Sequence, residues 1–409
     1  MAPLHRKAVP AAPTHERWPI PRVNRKITAV GVYPSKQGAI LLTGVTGLLG
    51  REMLPRLLDR HHGRSIYLLI RGRDDADVQC RFQSLVDSLC TRWPGLDRTR
   101  LLPLRGDLTL PRLGIDPKVA EELAGRVTRI VHSAASVRLN RSLSDARRTN
   151  LGGAQEILRL AESCPRLELL AWISTAFVAG DRQGLILERE LECGQSFLNA
   201  YEQSKFEAER LARSAGAHLP IAIFRPSVIV GDSRDGYTCN FASIYWPLRL
   251  VAEGVLRRVP GDPRTPLDLV PVDYVADAVA ELIGHRDAMG SCYHLVAGRS
   301  GVITAEELLT RAISRFHPGG QPLRFVYPQA EANTRLRVFF AYLGGHKEFD
   351  DSRARTDLQG SGLRCPRVTD YLDRLLAFCE CTHWGEQNLA RPAPYPFPAS
   401  CSVKGAAVC

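Results

Sequence analysis

The sequence has no run of the ~18–20 apolar residues that a membrane span needs, so no spanning helix is expected. The N-terminus is basic but lacks the compact apolar core of a secretory signal, which argues against export. Residues 1–37 are poor in acid, with Glu16 alone, and rich in proline and basic side chains. They read as a flexible tail or an edge strap, with a transit peptide as the other reading. The 11 cysteines are scattered and odd in number, which speaks against a disulfide scaffold and for reduced thiols in the cytoplasm. Cys379, Cys381 and His383 form the one tight cluster, and no second ligand pair stands at metal-site spacing, so no metal is expected. Cys409 is last rather than fourth from the end, so it is not a prenylation signal. The formal charge is +11, yet no recognition module and no interleaving of aromatic with basic residues marks a nucleic-acid binder. No internal repeat is evident, and 409 residues, 44% of them hydrophobic, suffice for one large α/β domain with a smaller appendage.

What is present is organised around residues 39–71. An apolar run, Ala39 to Leu42, passes into Thr43-Gly44-Val45-Thr46-Gly47-Leu48-Leu49-Gly50 and an amphipathic helix to about Arg60. A second apolar run, Ile66 to Ile70, ends on Arg71. This is strand, glycine turn, helix, strand. Gly44 permits the tight turn, Gly47 lets backbone amides approach a pyrophosphate, and Gly50 lets the helix pack closely. The helix N-terminus then meets phosphates with unpaired N–H groups and partial positive charge. An enzyme that uses NAD usually ends the second strand on Asp or Glu, for the ribose 2′-hydroxyl. A guanidinium fork at Arg71 suits a 2′-phosphate instead, so the expected cofactor is NADPH; the bland alternative is a solvated charge at a strand end.

Further along, a helix over 77–89 and a strand over 101–105 lead to Gly106-Asp107-Leu108-Thr109. Asp107 either accepts from an adenine amino group or serves the turn itself. The strand 127–131 runs into His132-Ser133-Ala134-Ala135-Ser136, small residues against which a ribose and pyrophosphate can lie. Asn150 is read as opening the next helix, to about Glu162, as an N-cap, a support for the site, or both. A strand over 167–173 leads to Ser174-Thr175, a helix carries Tyr201, Ser204 and Lys205, and a strand over 221–224 precedes Arg225-Pro226-Ser227. Strands alternating with helices predict a doubly wound parallel sheet covered on both faces, over residues 38–300. Residues 231–268 break the pattern and read as a substrate lid whose apolar 244–251 stretch, Leu248 included, lines a chain-binding tunnel. Residues 301–385 read as a mostly helical substrate-binding cap and 386–409 as a tail.

Tyr201 and Lys205 are spaced i, i+4 and share one helical face. An ammonium beside a phenol favours the phenolate, so Lys205 is expected to lower the tyrosine pKa while donating to ribose hydroxyls. Tyr201 then delivers a proton to a carbonyl oxygen as hydride reaches its carbon. Thr175 or Ser174 holds that oxygen, Thr175 being favoured because it lies nearer the loop.

The glycine loop, Tyr201-x-x-x-Lys205 and the elements between them resemble the extended short-chain dehydrogenase/reductases. Within these, Gly106 to Thr109 with Leu113-Gly114-Ile115, His132 to Arg138, Ile173 to Val178, Gly254-Val255-Leu256 with Val259 to Asp262, and Val270 to Val275 are similar to fatty acyl-CoA reductases and thioester-reductase domains. The similarity covers about residues 38–300, with a weaker echo at Phe349-Asp350 and Tyr371-Leu372. Leu139-Asn140 departs from the aromatic–acidic pair often found there, and the membrane-anchoring helix of some alcohol-forming relatives has no counterpart. The resemblance implies NADPH-dependent reduction of an acyl thioester, carried on CoA or an acyl carrier protein, to an aldehyde, with a second hydride needed for the alcohol and the stopping point left open. It places Thr175, Tyr201 and Lys205, with Ser174, at the catalytic positions. The cofactor set comprises Gly44, Thr46, Gly47, Leu48, Leu49, Gly50, Arg71, Arg81, Asp107, Leu108, Ser133, Ala134, Ala135, Asn150, Lys205, Pro226 and Ser227. The positive charge then suits acidic acyl carriers, CoA phosphates or peripheral contact with an anionic membrane. Alternatives on the same scaffold are a nucleotide-sugar epimerase or dehydratase, a hydroxysteroid dehydrogenase, and a non-catalytic NADPH sensor.

Overall fold

The computed structural model describes residues 37–326 and 341–386; the tail 1–36, the C-terminal tail from 387 onward and residues 327–340 of the expected cap lie outside it. Seven strands form one parallel sheet: β1 (Ala39–Thr43), β2 (Ser65–Ile70), β3 (Leu101–Arg105), β4 (Val127–His132), β5 (Leu169–Ile173), β6 (Ile221–Pro226) and β7 (Cys292–Leu295). Their spatial order is 3-2-1-4-5-6-7. The chain starts in the middle, winds outward through β2 and β3, then returns to β4 on the other side of β1. That reversal between β1 and β4 opens a crevice at the carboxyl ends of the strands, the place where such sheets bind ligands.

The strands are apolar on both faces because both are covered, as in other wholly parallel sheets. Ile40 and Leu42 of β1, with Ile66, Leu68 and Ile70 of β2, join one core with α1 (Leu48–Arg60), α2 (Asp75–Arg92) and α7 (Val272–Leu282). The alternate residues, Leu41, Ile130, Leu170 and Trp172, are equally buried. Strand alternation turns them to the opposite face, with α3 (Pro117–Arg126), α4 (Leu143–Glu162) and α5 (Ala200–Ala215) supplying the second layer. The sequence expectation for α4 needs correction: it begins seven residues before Asn150, and Ser142 caps it by accepting from the Asp145 amide at 3.2 Å.

A second apolar core gathers α6 (Tyr245–Ala252), α8 (Ala305–Phe316) and α10 (Val368–Cys381). Tyr245, Leu248 and Val251 of α6 are 3%, 3% and 2% exposed, packed with Leu308, Ile313 and Leu372. The apolar 244–251 stretch is therefore divided: α6, short as it is, turns its i, i+3 stripe of Tyr245, Leu248 and Val251 toward α8, while Ile244, Trp246 and Pro247 line a cavity, so Leu248 is a core residue rather than the expected tunnel residue. Residues 347–363 depart from the expected cap as well. Lys347–Phe349 pairs in parallel with Gly184–Ile186, and α9 (Ser352–Leu358) buries Ala354 and Leu358 in the core of the main sheet. Among the described residues no helix is long and apolar enough to cross a membrane.

Candidate active site

A cavity of about 1530 Å³ runs from the crevice between β1 and β4 to the second core. Its crevice end is built from backbone. Gly44 has φ +77°, and a Cβ there would lie 2.7 Å from the Ala134 amide nitrogen, so the two loops meet only because this residue is glycine. Gly50 is bare for a related reason, since a Cβ would run into the Gly44 carbonyl; its partner is the loop itself. Gly47 differs. The nearest protein atom to a Cβ there is 3.4 Å away, an ordinary contact, so nothing in the protein demands glycine at this position. Gly47 is the N-cap of α1, offers no side-chain acceptor, and no acid stands in the first turn. By contrast α2 is capped by Asp74 and carries Asp75 and Asp77 in its first turn. The α1 terminus is thus an uncompensated positive end facing a space that a side chain would fill, which suits a phosphate.

The adjoining loop is held from behind. Thr43 Oγ1 accepts from the amides of Ser133 and Ala134 at 3.2 and 3.1 Å and pairs with His132 Nδ1 at 2.9 Å. Burial, with Lys205 adding to it, pushes the His132 imidazole down to about 3, so it is neutral. Asn150 supports the same loop without reaching the cavity. Its Oδ1 accepts from the Ser136 amide at 2.7 Å, and its Nδ2 donates to the Ser136 carbonyl and to Ser204 Oγ at 3.1 and 2.9 Å. It ties the β4 loop to α5 instead of touching a ligand or capping a helix.

All the other expected cofactor residues line the cavity. Arg71 makes no hydrogen bond or ion pair among the described residues, whereas Arg81 donates to Asp77 at 3.2 Å. Asp107 Oδ1 accepts from the amide and hydroxyl of Thr109 at 2.9 and 2.8 Å, so it serves the turn while facing the crevice. Ser227 donates to the buried Asp268, which burial raises to about 6.

The chemistry-bearing side chains Ser174, Thr175, Tyr201 and Lys205 line the same cavity. Asn199 caps α5 by accepting from the Glu202 amide at 3.0 Å, which fixes the turn that presents Tyr201. Thr175 Oγ1 donates to the Pro226 carbonyl at 3.4 Å and accepts from the Phe177 amide at 3.3 Å, and the hydroxyl acts on the Tyr201 phenol by opposing the rise in its pKa. Ser174 is turned away, donating to Glu209 Oε2 at 2.6 Å. Lys205 is 5% exposed and donates to the Ile173 carbonyl at 2.7 Å; burial lowers its pKa to about 8, against the pull of Glu209. Glu209 is itself fully buried and kept ionised by Arg225, whose Nη2 donates to it at 2.7 Å, and by Arg213. The expected lowering of the tyrosine pKa is overturned. Burial raises Tyr201 to about 12, Thr175 opposing and Glu202 reinforcing the shift. The reason is burial, and Lys205, which donates to the Ile173 carbonyl and sits with Glu209, is not among the groups that offset it. A protonated phenol is the form that can donate.

The far wall is apolar, and the 244–251 stretch expected to line a tunnel supplies part of it. Ile244, Trp246, Pro247, Leu256, Val259, Leu267, Leu308 and Leu309 line it; Leu248, one residue on, does not. Phe349, Tyr342 and Lys347 complete it from a distant segment. Of these three, Phe349 alone had a signal, as part of the weaker echo noted above.

A profile of the family described as Male sterility protein matches residues 42–279. The chain is 29% identical over 276 residues to Fatty acyl-CoA reductase wat of Drosophila melanogaster, covering 60% of this chain and 53% of that protein. It is 31% identical over 271 residues to Glycine betaine reductase ATRR of Emericella nidulans, covering 63% of this chain and 21% of that one. The chain spans about half the length of the first of these, and of the other acyl-CoA reductases it matches. The crystal structure of the terminal R domain from the myxalamid PKS-NRPS biosynthetic pathway superimposes with a TM-score of 0.73 at 29% identity, covering 88% of this chain and 93% of that domain.

Proposed function

The chain belongs to the male sterility protein family, and on that premise we propose that it reduces an acyl thioester to an aldehyde with NADPH. The carrying observation is that Thr175, Tyr201 and Lys205 line one continuous cavity that also holds a phosphate-suited crevice and an apolar chamber. The dinucleotide, when bound, supplies hydride. Its pyrophosphate would be held by the amides at Gly47 to Leu49, its ribose by Lys205, and its 2′-phosphate by Arg71, which has no other partner among the described residues. Preference for NADPH over NADH rests on Arg71.

In this reading the thioester carbonyl oxygen accepts from Thr175 and Tyr201, an arrangement that stabilises the developing oxyanion by about 3 kcal/mol. Tyr201 passes its proton to that oxygen, and the resulting hemithioacetal collapses to aldehyde and thiol. A pKa near 12 leaves the phenol protonated at neutral pH, the state needed for reduction rather than oxidation. The acyl chain would lie along Ile244, Trp246 and Leu309. Arg138 and Arg141, also on the wall and without ion pairs among the described residues, suit the phosphates of CoA or of a carrier's prosthetic arm. A nucleotide-sugar enzyme would present polar groups where this chamber is apolar.

The test is NADPH oxidation with acyl-CoA substrates of graded chain length, with products resolved as aldehyde or alcohol. Consumption coupled to aldehyde formation is expected. Purified protein that consumes no NADPH with any chain length would refute the assignment.

A further inference from the structure

We propose that Tyr342, on the wall of the chamber, is a positioning residue for Tyr201, acting through the N-terminal cap of α5. The inference rests on the thioester-reductase reading of the site.

The cap of α5 is reciprocal: Asn199 Oδ1 accepts from the Glu202 amide, and Glu202 Oε2 accepts from the Leu198 amide, each at 3.0 Å. These two bonds leave the side-chain NH2 of Asn199 and one carboxylate oxygen of Glu202. A single hydroxyl from 140 residues away takes both. Tyr342 accepts from Asn199 Nδ2 at 2.8 Å and donates to Glu202 Oε1 at 2.5 Å. The carboxylate is fully buried, so leaving that oxygen without a donor would be costly. The ring is fixed too. It packs edge-on against Phe177 at 5.4 Å, and Phe177 packs edge-on against Phe349 at 6.0 Å.

Tyr201 lies between the two cap residues that Tyr342 joins. A first turn free to shift would carry the phenol away from Thr175, and misplacement of about 1 Å costs on the order of a hundredfold in rate. A second tie reaches the helix farther along. His294 Nδ1 donates to the Asp350 carbonyl at 2.7 Å, Arg225 donates to His294 Nε2 at 3.2 Å, and Arg225 also holds Glu209, one turn beyond Lys205. Residues 342–350 therefore grip the catalytic helix on both sides of the Tyr201–Lys205 pair. The same segment faces the chamber through Tyr342 and Phe349. An acyl chain that fills the chamber presses on the segment that sets the geometry of the proton donor.

Tyr342→Phe keeps the ring and removes the hydroxyl. With a saturating acyl-CoA, kcat is expected to fall about 10–100-fold, while the KM for acyl-CoA and the Kd for NADPH stay near wild type and the melting temperature drops by a few degrees, the cost of a buried carboxylate oxygen left without its donor. Glu202→Gln keeps an oxygen for the Leu198 amide and turns its NH2 to the phenol oxygen, so the tie to Tyr342 survives and most of kcat should be retained. Glu202→Ala should match Tyr342→Phe, and the double variant should fall no further, as expected of groups acting as a unit. A Tyr342→Phe enzyme with kcat within twofold of an active wild type, or losses that multiply in the double variant, would overturn the inference and leave the thioester reading standing. A wild type inert toward every acyl-CoA overturns that reading and this inference with it.

Discussion

The crevice wall of the cavity comes from successive turns, after β1, β2, β3, β4, β5 and β6, each at the carboxyl end of a strand in one sheet. The facing wall comes from residues 240–269, 305–309 and 342–349, which belong to no common sheet. The first is made largely of backbone and small residues whose positions the sheet dictates. The second is made of side chains whose exposure depends on how short helices settle against one another. A cofactor common to many enzymes is bound by the first kind of wall, and the variable substrate is left to the second. Tyr201 and Lys205, on the rigid helix α5, line the cavity that both walls enclose.

If that division is right, the largest effect belongs to Tyr201. Tyr201→Phe removes the proton donor and should lower kcat by about a thousandfold, near 4 kcal/mol, with NADPH affinity kept. Single-turnover reduction of an acyl-CoA measures it, and a rate within tenfold of wild type would remove Tyr201 from the chemistry. Next is a residue of the second region that faces away from the cavity. Leu248→Ala opens a void in the core shared by α6 and α8 and should cost about 3 kcal/mol of stability, read from denaturant unfolding. It should leave the accepted chain lengths as they were, because Leu248 touches no ligand. A changed chain-length profile at unchanged stability would reverse that placement.

Arg71 probes the first wall alone. Arg71→Asp replaces a charge-assisted donor with a repelling carboxylate, and the preference for NADPH over NADH should drop by about tenfold to a hundredfold. The ratio of kcat/KM values for the two cofactors reports it. An unchanged ratio would leave Arg71 a solvated strand end. Acyl-chain preference should not move, which separates this wall from the other.

The sequence exposes the first wall because its signals are local. Gly44, Gly47, Gly50 and Arg71 lie within 28 positions, and each sits where strand, turn and helix succeed one another. Tyr201 and Lys205 are visible for the same reason, a helical spacing of four. Of the two readings of Asn150 the cap fails, because asparagine favours caps in general, while the support stands: its buried amide ties the loop at Ser136 to Ser204 on α5. The pKa of Tyr201 misleads because spacing places a lysine on the same helical face but does not reveal how completely the phenol is buried. Tyr342 and Lys347 leave no pattern, since their meaning depends on contacts spanning some 140 residues. The apolar stretch at 244–251 announces burial without naming the face, because two helical turns cannot separate a core stripe from a cavity stripe by periodicity.

The finest distinction lies within that stretch, between neighbours on α6 and the turn before it. Ile244 precedes the helix and lines the chamber, whereas Leu248 points into the core. A larger side chain at Ile244 extends into the space assigned to the acyl chain. Ile244→Trp should therefore lower kcat/KM for long acyl-CoAs by several-fold, about 1 kcal/mol, while short ones are reduced at nearly the wild-type rate. The opposite sign, long chains unaffected and short chains impaired, would mean that the chain threads between other residues and that Ile244 bounds the thioester end. Either way NADPH binding should be untouched, because no residue of the first wall has been altered. A loss of cofactor affinity on this substitution would show that the two walls move as one body, and the division between a generic crevice and a particular chamber would have to be given up.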